Sequence, residues 1–222
     1  VIDVPHIIEL MPDITKAFGE TLYMIGISLA VAVIIGLPLG VLLFITDKGL
    51  FLENRLINSS FGFVVNMVRS IPFIILLVAL IPLTQLIVGS IIGPAAASVS
   101  LSAAAIPFFA RIVETSMREI DKGVIEAAIA MGASPWMIIR NVLLPEAKSS
   151  IVQGITLTVI SLVAYSAMAG FVGGGGIGDL AIRFGYYRYD DSIMIVTVAI
   201  LIILVQLIQF TGDRVSKAID KR

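Results

Sequence analysis

The stretch Thr21–Thr46, TLYMIGISLAVAVIIGLPLGVLLFIT, contains no Asp, Glu, Lys or Arg. A helix rises 1.5 Å per residue, so about 20 apolar residues cross the roughly 30 Å of bilayer hydrocarbon. This run exceeds that length, and it is too long and unbroken for a barrel strand of about 10 residues. It reads as a transmembrane helix. Pro38 sits inside it between Gly36 and Gly40, and a proline there is expected to kink or interrupt the helix.

Working outward, four more stretches meet or approach the same length: 57–88, broken by Arg69, Pro72 and Pro82; 93–113, rich in Ala and Ser, with Pro107; 149–172; and 192–211. The whole chain agrees. Of 222 residues 58% are hydrophobic and 14% charged, with a mean hydropathy of +1.04. Soluble domains carry about 25% charge, so this surface is suited to lipid. The expected fold is all-α, a polytopic membrane protein with five transmembrane helices. Residues 1–20 form an N-terminal segment and 21–211 the transmembrane domain. Within that domain 114–148 is a loop, and 212–222 form a tail. Small residues run through the third span, from Ala95-Ala96-Ala97-Ser98 to Ala103-Ala104-Ala105. They permit close helix approach and place it centrally in the bundle.

Charge sets the orientation. Lys16, Arg183 and Arg188 lie on one side of the five spans. Lys48, Arg55, Arg111, Arg118, Lys122, Arg140, Lys148, Arg214, Lys217, Lys221 and Arg222 lie on the other. The positive-inside rule makes the second side cytoplasmic, with the N-terminus outside and the C-terminus inside. Ahead of the first span, Ile7, Ile8, Leu10, Met11, Ile14 and Phe18 recur at helical spacing; this amphipathic pattern fits either an interfacial helix or a cap on the bundle. The first 20 residues, with Asp3, Glu9, Asp13 and Glu20, lack the apolar core of a signal peptide.

The 114–148 loop has structure written into it. Glu126-Ala127-Ala128-Ile129-Ala130-Met131 is rich in helix formers and ends at Gly132, a natural stop; Ser134-Pro135 then opens a second helix through Trp136 to Arg140. The pair bears apolar residues on more than one face. Either all of them cap the bundle, or part of the pair is a knob for a soluble partner.

Glu126-Ala127-Ala128, Gly132 and Val142-Leu143-Leu144-Pro145 resemble the EAA signature of importer permeases in the ATP-binding-cassette superfamily, with Val142 where that motif has isoleucine. Residues from about 17 to 222 are similar to the bacterial methionine-import permeases, most closely at Arg69-Ser70-Ile71-Pro72-Phe73-Ile74-Ile75-Leu76-Leu77, Tyr165-Ser166-Ala167-Met168 and Gln209-Phe210-x-Gly212-Asp213-Arg214. The glycine run 173–178 matches as well. The resemblance implies a type I importer fold in the bacterial inner membrane, in which the helix pair is a coupling helix. It implies a second copy of the chain, two copies of a cytoplasmic ATP-binding subunit and an extracytoplasmic methionine-binding lipoprotein. Residues placed at the ATPase contact are Glu126, Ala127, Ala128, Gly132, Ala133, Pro135, Leu144 and Pro145.

The chain itself offers no catalytic machinery. No Gly-x-x-x-x-Gly-Lys-Ser/Thr occurs, so ATP and magnesium belong to a partner. With no cysteine and a single histidine, His6, no metal or cofactor site is expected, and His6 reads as an exposed terminal side chain. A net charge of −1 argues against nucleic acid. The run Gly173–Gly178 reads as a flexible turn or as a structured one beside the translocation path.

Candidate pathway or gate residues are Arg69, Ser70 and Pro72 in the second span, and Tyr165, Ser166 and Met168 in the fourth. Arg69 in hydrocarbon costs a few kcal/mol, so it faces a cavity, a partner or the interface. Tyr165 and Met168, three apart, share a helix face, available to packing or to the pore; Met168 is a soft contact for a thioether. An ion-coupled transporter would want acidic residues within the spans, and an intramembrane enzyme a His/Asp/Glu or Ser/Lys set; neither is present. Related permeases for other small solutes share the architecture.

Overall fold

Why the chain folds as a bent bundle is clearest at its longest helices. In the computed structural model residues 4–220 are described; Val1–Asp3 of the terminal segment, and Lys221 and Arg222 of the charge count, lie outside the described residues. A short helix, α1 (Val4–Glu9), leads into α2 (Met11–Ile45). Thus the first span belongs to a helix that starts at Met11, and the start of the amphipathic segment, with Ile7 and Ile8, lies in α1. The first turns of α2 cap the bundle: Ile14 and Ala17 are buried with Ile177, Leu180 and Ile193. Ile8 and Met11 of the same pattern stay exposed.

The next span is divided. It consists of α3 (Arg55–Ser70), α4 (Phe73–Ala79) and α5 (Ile81–Val88), and α3 and α4 meet at 105°. Proline disfavours helical backbone in the residue before it, and Ile71 is extended, with φ −83° and ψ 125°. Pro72 therefore breaks the span as expected. Pro38 and Pro107 do not interrupt theirs: α2 and α6 (Pro94–Arg118) run on through both. A proline inside a helix removes one hydrogen bond, and here the two helices are clamped along most of their length by mutual packing.

That packing is the centre of the molecule. Among the described residues four helices are long and apolar enough to cross a bilayer: α2, α6, α10 (Lys148–Ala169, with a 3₁₀ turn to Val172) and α12 (Asp191–Ile219). The bent α3–α4 pair is apolar enough to be counted with them, and its 105° bend fits a broken span or a re-entrant loop. Helix α6 is the most enclosed, with Ala97, Leu101, Ala105, Phe109, Val113 and Met117 in the core. Its alanines and serines permit this, because association in lipid depends on close contact between backbones.

At one end α7 (Lys122–Ala130) and α8 (Pro135–Ile138) lead through a π turn, Ile139–Leu143, and a short α9 (Leu144–Glu146) into α10. At the other end the glycine run is ordered. The Gly176 N–H donates to Glu20 Oε2 at 2.8 Å, the Ile177 N–H to Thr21 Oγ1 at 2.9 Å, and the Gly93 N–H to the Gly173 carbonyl at 2.9 Å. The first two bonds fasten α11 (Gly176–Leu180) to α2, and the third ties the glycine run to the start of α6.

His6 is not simply an exposed terminal side chain. It is half-buried, and its Nε2 lies 2.8 Å from Asp190 Oδ2. Asp190 also caps α12, accepting the Ile193 N–H at 3.1 Å. Burial alone would raise the Asp190 carboxyl; the Ile193 amide, His6 and the Ser192 amide together outweigh it and hold the group below its ordinary value. A lowered carboxylate contributes stability above the unfolded value of about 3.9, and that stability is lost as pH falls through the folded value. We expect Asp190→Ala to cost about 1 kcal/mol of capping at the start of α12. Hydrogen exchange at Ile193 should be about fivefold faster than wild type at neutral pH, with the difference vanishing in strong acid.

Candidate functional site

The helix pair at the end of α6 is built from local rules. Asp121 caps α7 by accepting the Gly123 N–H at 2.6 Å. The Ala133 N–H bonds the Ala128 carbonyl at 3.1 Å, and the Gly132 N–H bonds Ile129 at 2.9 Å. This six-to-one, five-to-two pairing is a Schellman turn, which needs left-handed backbone at its glycine; Gly132 has φ +80°. Ser134 then accepts the Met137 N–H and Pro135 occupies the first turn of α8.

The result is a stiff corner with two unlike faces. Ile125, Ala128, Ile138 and Leu143 are buried in the same core as Met117 and Ile120. The outer face carries Met131, 82% exposed, and Trp136, 68% exposed, with Val124, Ile129 and Met137 beside them. Glu126, Ala127, Gly132 and Pro135 are exposed as well, and Glu126 makes no hydrogen bond or ion pair among the described residues. Ala128 is a correction to the expected contact set: at 4% exposure it seats α7 on its own chain. Ala133 and Leu144 are half-buried, and Leu144 and Pro145 line an apolar groove with Leu37, Ile151 and Val152.

A polar cluster behind the corner had no counterpart in the reading of the sequence. Glu114, buried on α6, accepts Arg111 at 2.6 Å and Arg118 at 2.8 Å. Arg118 reaches Asp47 after α2 at 2.7 Å, and Arg111 reaches Asn66 of α3 at 2.8 Å. Burial pushes the Asp47 carboxyl up; the Lys48 amide and Arg118 overcome this and leave it below its ordinary value. The spacing 111, 114, 118 places the three α6 charges on one helix face, which was the available signal.

The pathway candidates separate. Arg69 lines a cavity of about 470 Å³ shared by α3, α6, α10 and α12. Ser70 is exposed and its hydroxyl donates to Asn66 O at 2.8 Å. Pro72 makes the bend. Tyr165 stacks on Phe73, ring centres 4.6 Å apart, and so braces α10 against α4. Ser166 is buried and donates to Val163 O at 2.8 Å; Met168 is exposed. The last three residues do not join Arg69 at that cavity.

Apolar crossings, a small-residue centre and an ordered helix corner at one end together define a polytopic α-helical membrane protein. Comparison with known proteins narrows this. Residues 32–222 match the family described as the inner membrane component of binding-protein-dependent transport systems, and the chain belongs to that family. It is 54% identical over 206 residues to the probable D-methionine transport system permease protein MetI of Vibrio cholerae serotype O1, covering 93% of this chain and 92% of that one. It is 45% identical to the methionine import system permease protein MetP of Bacillus subtilis, covering 96% of each. Among solved structures, an inward-facing MetNI methionine ABC transporter matches with a TM-score of 0.95 at 45% identity, over 99% of this chain and all of that one. An amino acid ABC transporter crystallised with histidines matches at 18% identity with a TM-score of 0.81, a likeness of fold.

Proposed function

We propose that this chain is the permease subunit of an ATP-binding-cassette importer that conducts methionine, D- or L- or both, across the bacterial inner membrane. The observation that carries the reading is the two-faced corner of α7 and α8. One face is bolted into the bundle, while Met131, Trp136 and their neighbours are left exposed on the other. Large exposed apolar groups beside a lone carboxylate, Glu126, suit a cleft on a soluble protein. The contact set is then Glu126, Ala127, Gly132, Ala133 and Pro135, with Leu144 and Pro145 at its base.

In this reading ATP and magnesium are handled by two copies of that soluble subunit, and the permease does no chemistry. A second copy of the chain completes the pathway, and an extracytoplasmic methionine-binding lipoprotein supplies the cargo. The charge bias puts α7–α8 and the C-terminus in the cytoplasm. Work done on the corner passes into α6, and the Glu114 cluster carries it to α2 and α3, whose far end is the bend at Pro72.

The test is uptake of radiolabelled methionine by proteoliposomes holding the chain with its ATPase and binding protein. Uptake should require ATP and exceed the ATP-free control at least tenfold. Transport of a different amino acid, with none of methionine, would overturn the substrate assignment.

A further inference from the structure

The cavity between α3, α6, α10 and α12 holds about 470 Å³, within the roughly 300–1,000 Å³ of small-molecule sites. Its charges are unevenly matched. Arg111 is occupied by Glu114 at 2.6 Å and Asn66 at 2.8 Å. Arg69, on α3, has no hydrogen bond or ion pair among the described residues. On the other walls, Asp213 of α12 accepts only the Gln209 amide, at 2.7 Å, and Glu119 only the Ser150 hydroxyl, at 2.9 Å. One cavity therefore contains a guanidinium without an anion and carboxylates without a cation. Phe108, Ile112 and Leu157 supply apolar lining.

A free anion would satisfy Arg69 and leave Asp213 unmatched; a free cation would do the reverse. A molecule carrying both charges on one carbon, with an apolar tail, offers a partner to Arg69, to Asp213 and to the apolar lining. We propose that this cavity binds an α-amino acid as its zwitterion: carboxylate on Arg69, ammonium on Asp213, side chain against Phe108, Ile112 and Leu157. The proposal rests on the importer reading and deepens it by giving the cargo a waiting place inside the permease. Both charged groups stay open to water, so the hold is weak, as transit requires.

The experiment uses the full-length chain in lipid nanodiscs, titrated by saturation-transfer NMR with methionine, methionine methyl ester and the α-hydroxy analogue of methionine. Arg69→Gln should weaken methionine at least tenfold and leave the methyl ester within twofold, while Arg69→Lys retains methionine within about threefold. Asp213→Asn should weaken methionine and the ester at least tenfold and leave the hydroxy acid within twofold. No methionine titration on the wild-type chain, or equal weakening of all three ligands by both variants, would overturn the site. Uptake by the wild-type complex in proteoliposomes is measured in parallel. Normal methionine uptake with no charge-selective binding sinks the cavity proposal alone; charge-selective binding without ATP-dependent uptake sinks the importer reading alone.

Discussion

Replacing Gly132 by valine should leave a chain that inserts and folds and yet scarcely transports. A Cβ at position 132 meets nothing within 4 Å, so no clash within the chain is expected. The penalty is conformational: at φ +80° a β-branched residue costs about 1–3 kcal/mol. The Schellman turn relaxes, and the angle between α7 and α8 is lost with it. Met131 and Trp136, on either side of that turn, no longer present one surface. At tenfold per 1.4 kcal/mol, methionine uptake should fall by about ten- to a hundredfold. ATPase stimulation by the binding protein should be uncoupled from transport, while size-exclusion behaviour stays normal. Full coupling in Gly132→Val would remove the corner from the mechanism.

The other large effect lies at the α2–α6 crossing. A Cβ on Gly40 would stand 2.5 Å from the Ala110 carbonyl oxygen and 2.6 Å from Val113 Cβ. A backbone oxygen cannot swing aside, so α2 and α6 would have to part. Without a hydrophobic force holding helices together in lipid, such contact is what joins them. Overpacking costs about 1–3 kcal/mol where side chains can yield, and Gly40→Val should exceed that range. Detergent-solubilised, monodisperse protein should fall to roughly a tenth of wild type. Gly26→Ala is the control on the same helix: nothing lies within 4 Å of its Cβ, and its yield should be unchanged. Equal yields from both would mean that the crossing does not hold the bundle together.

Much of this architecture could be read locally. Length and hydropathy alone mark the crossings, and Gly132 with Ser134-Pro135 marks the corner, since capping depends on residues a few positions apart. Proline was a weaker guide. Pro72 breaks its helix, whereas α2 and α6 continue through Pro38 and Pro107. The same residue type has opposite outcomes because the cost of one missing hydrogen bond is weighed against packing that lies far away in sequence.

The functional surfaces divide in the same way. Glu126, Ala127 and Ala128 are consecutive, yet two are exposed and one is buried, which follows from the direction in which α7 leans on Met117 and Ile120. Tyr165 could be assigned to one face with Met168, but only the bend at Pro72 brings Phe73 onto its ring. Arg69 could be recognised as a charge in an apolar stretch. That Asp213, 144 residues further on, shares its cavity could not.

By itself the sequence determined that the chain lives in lipid, which stretches are apolar enough to cross it, and where a stiff corner interrupts it. Those properties arise from backbone hydrogen bonding and side-chain hydropathy summed over neighbouring residues. Tertiary structure alone decided which prolines bend their helices, which face of the corner stays open, and which charges are left unmatched around one cavity. Each of these is a balance between groups brought together from distant helices, and no local pattern contains it.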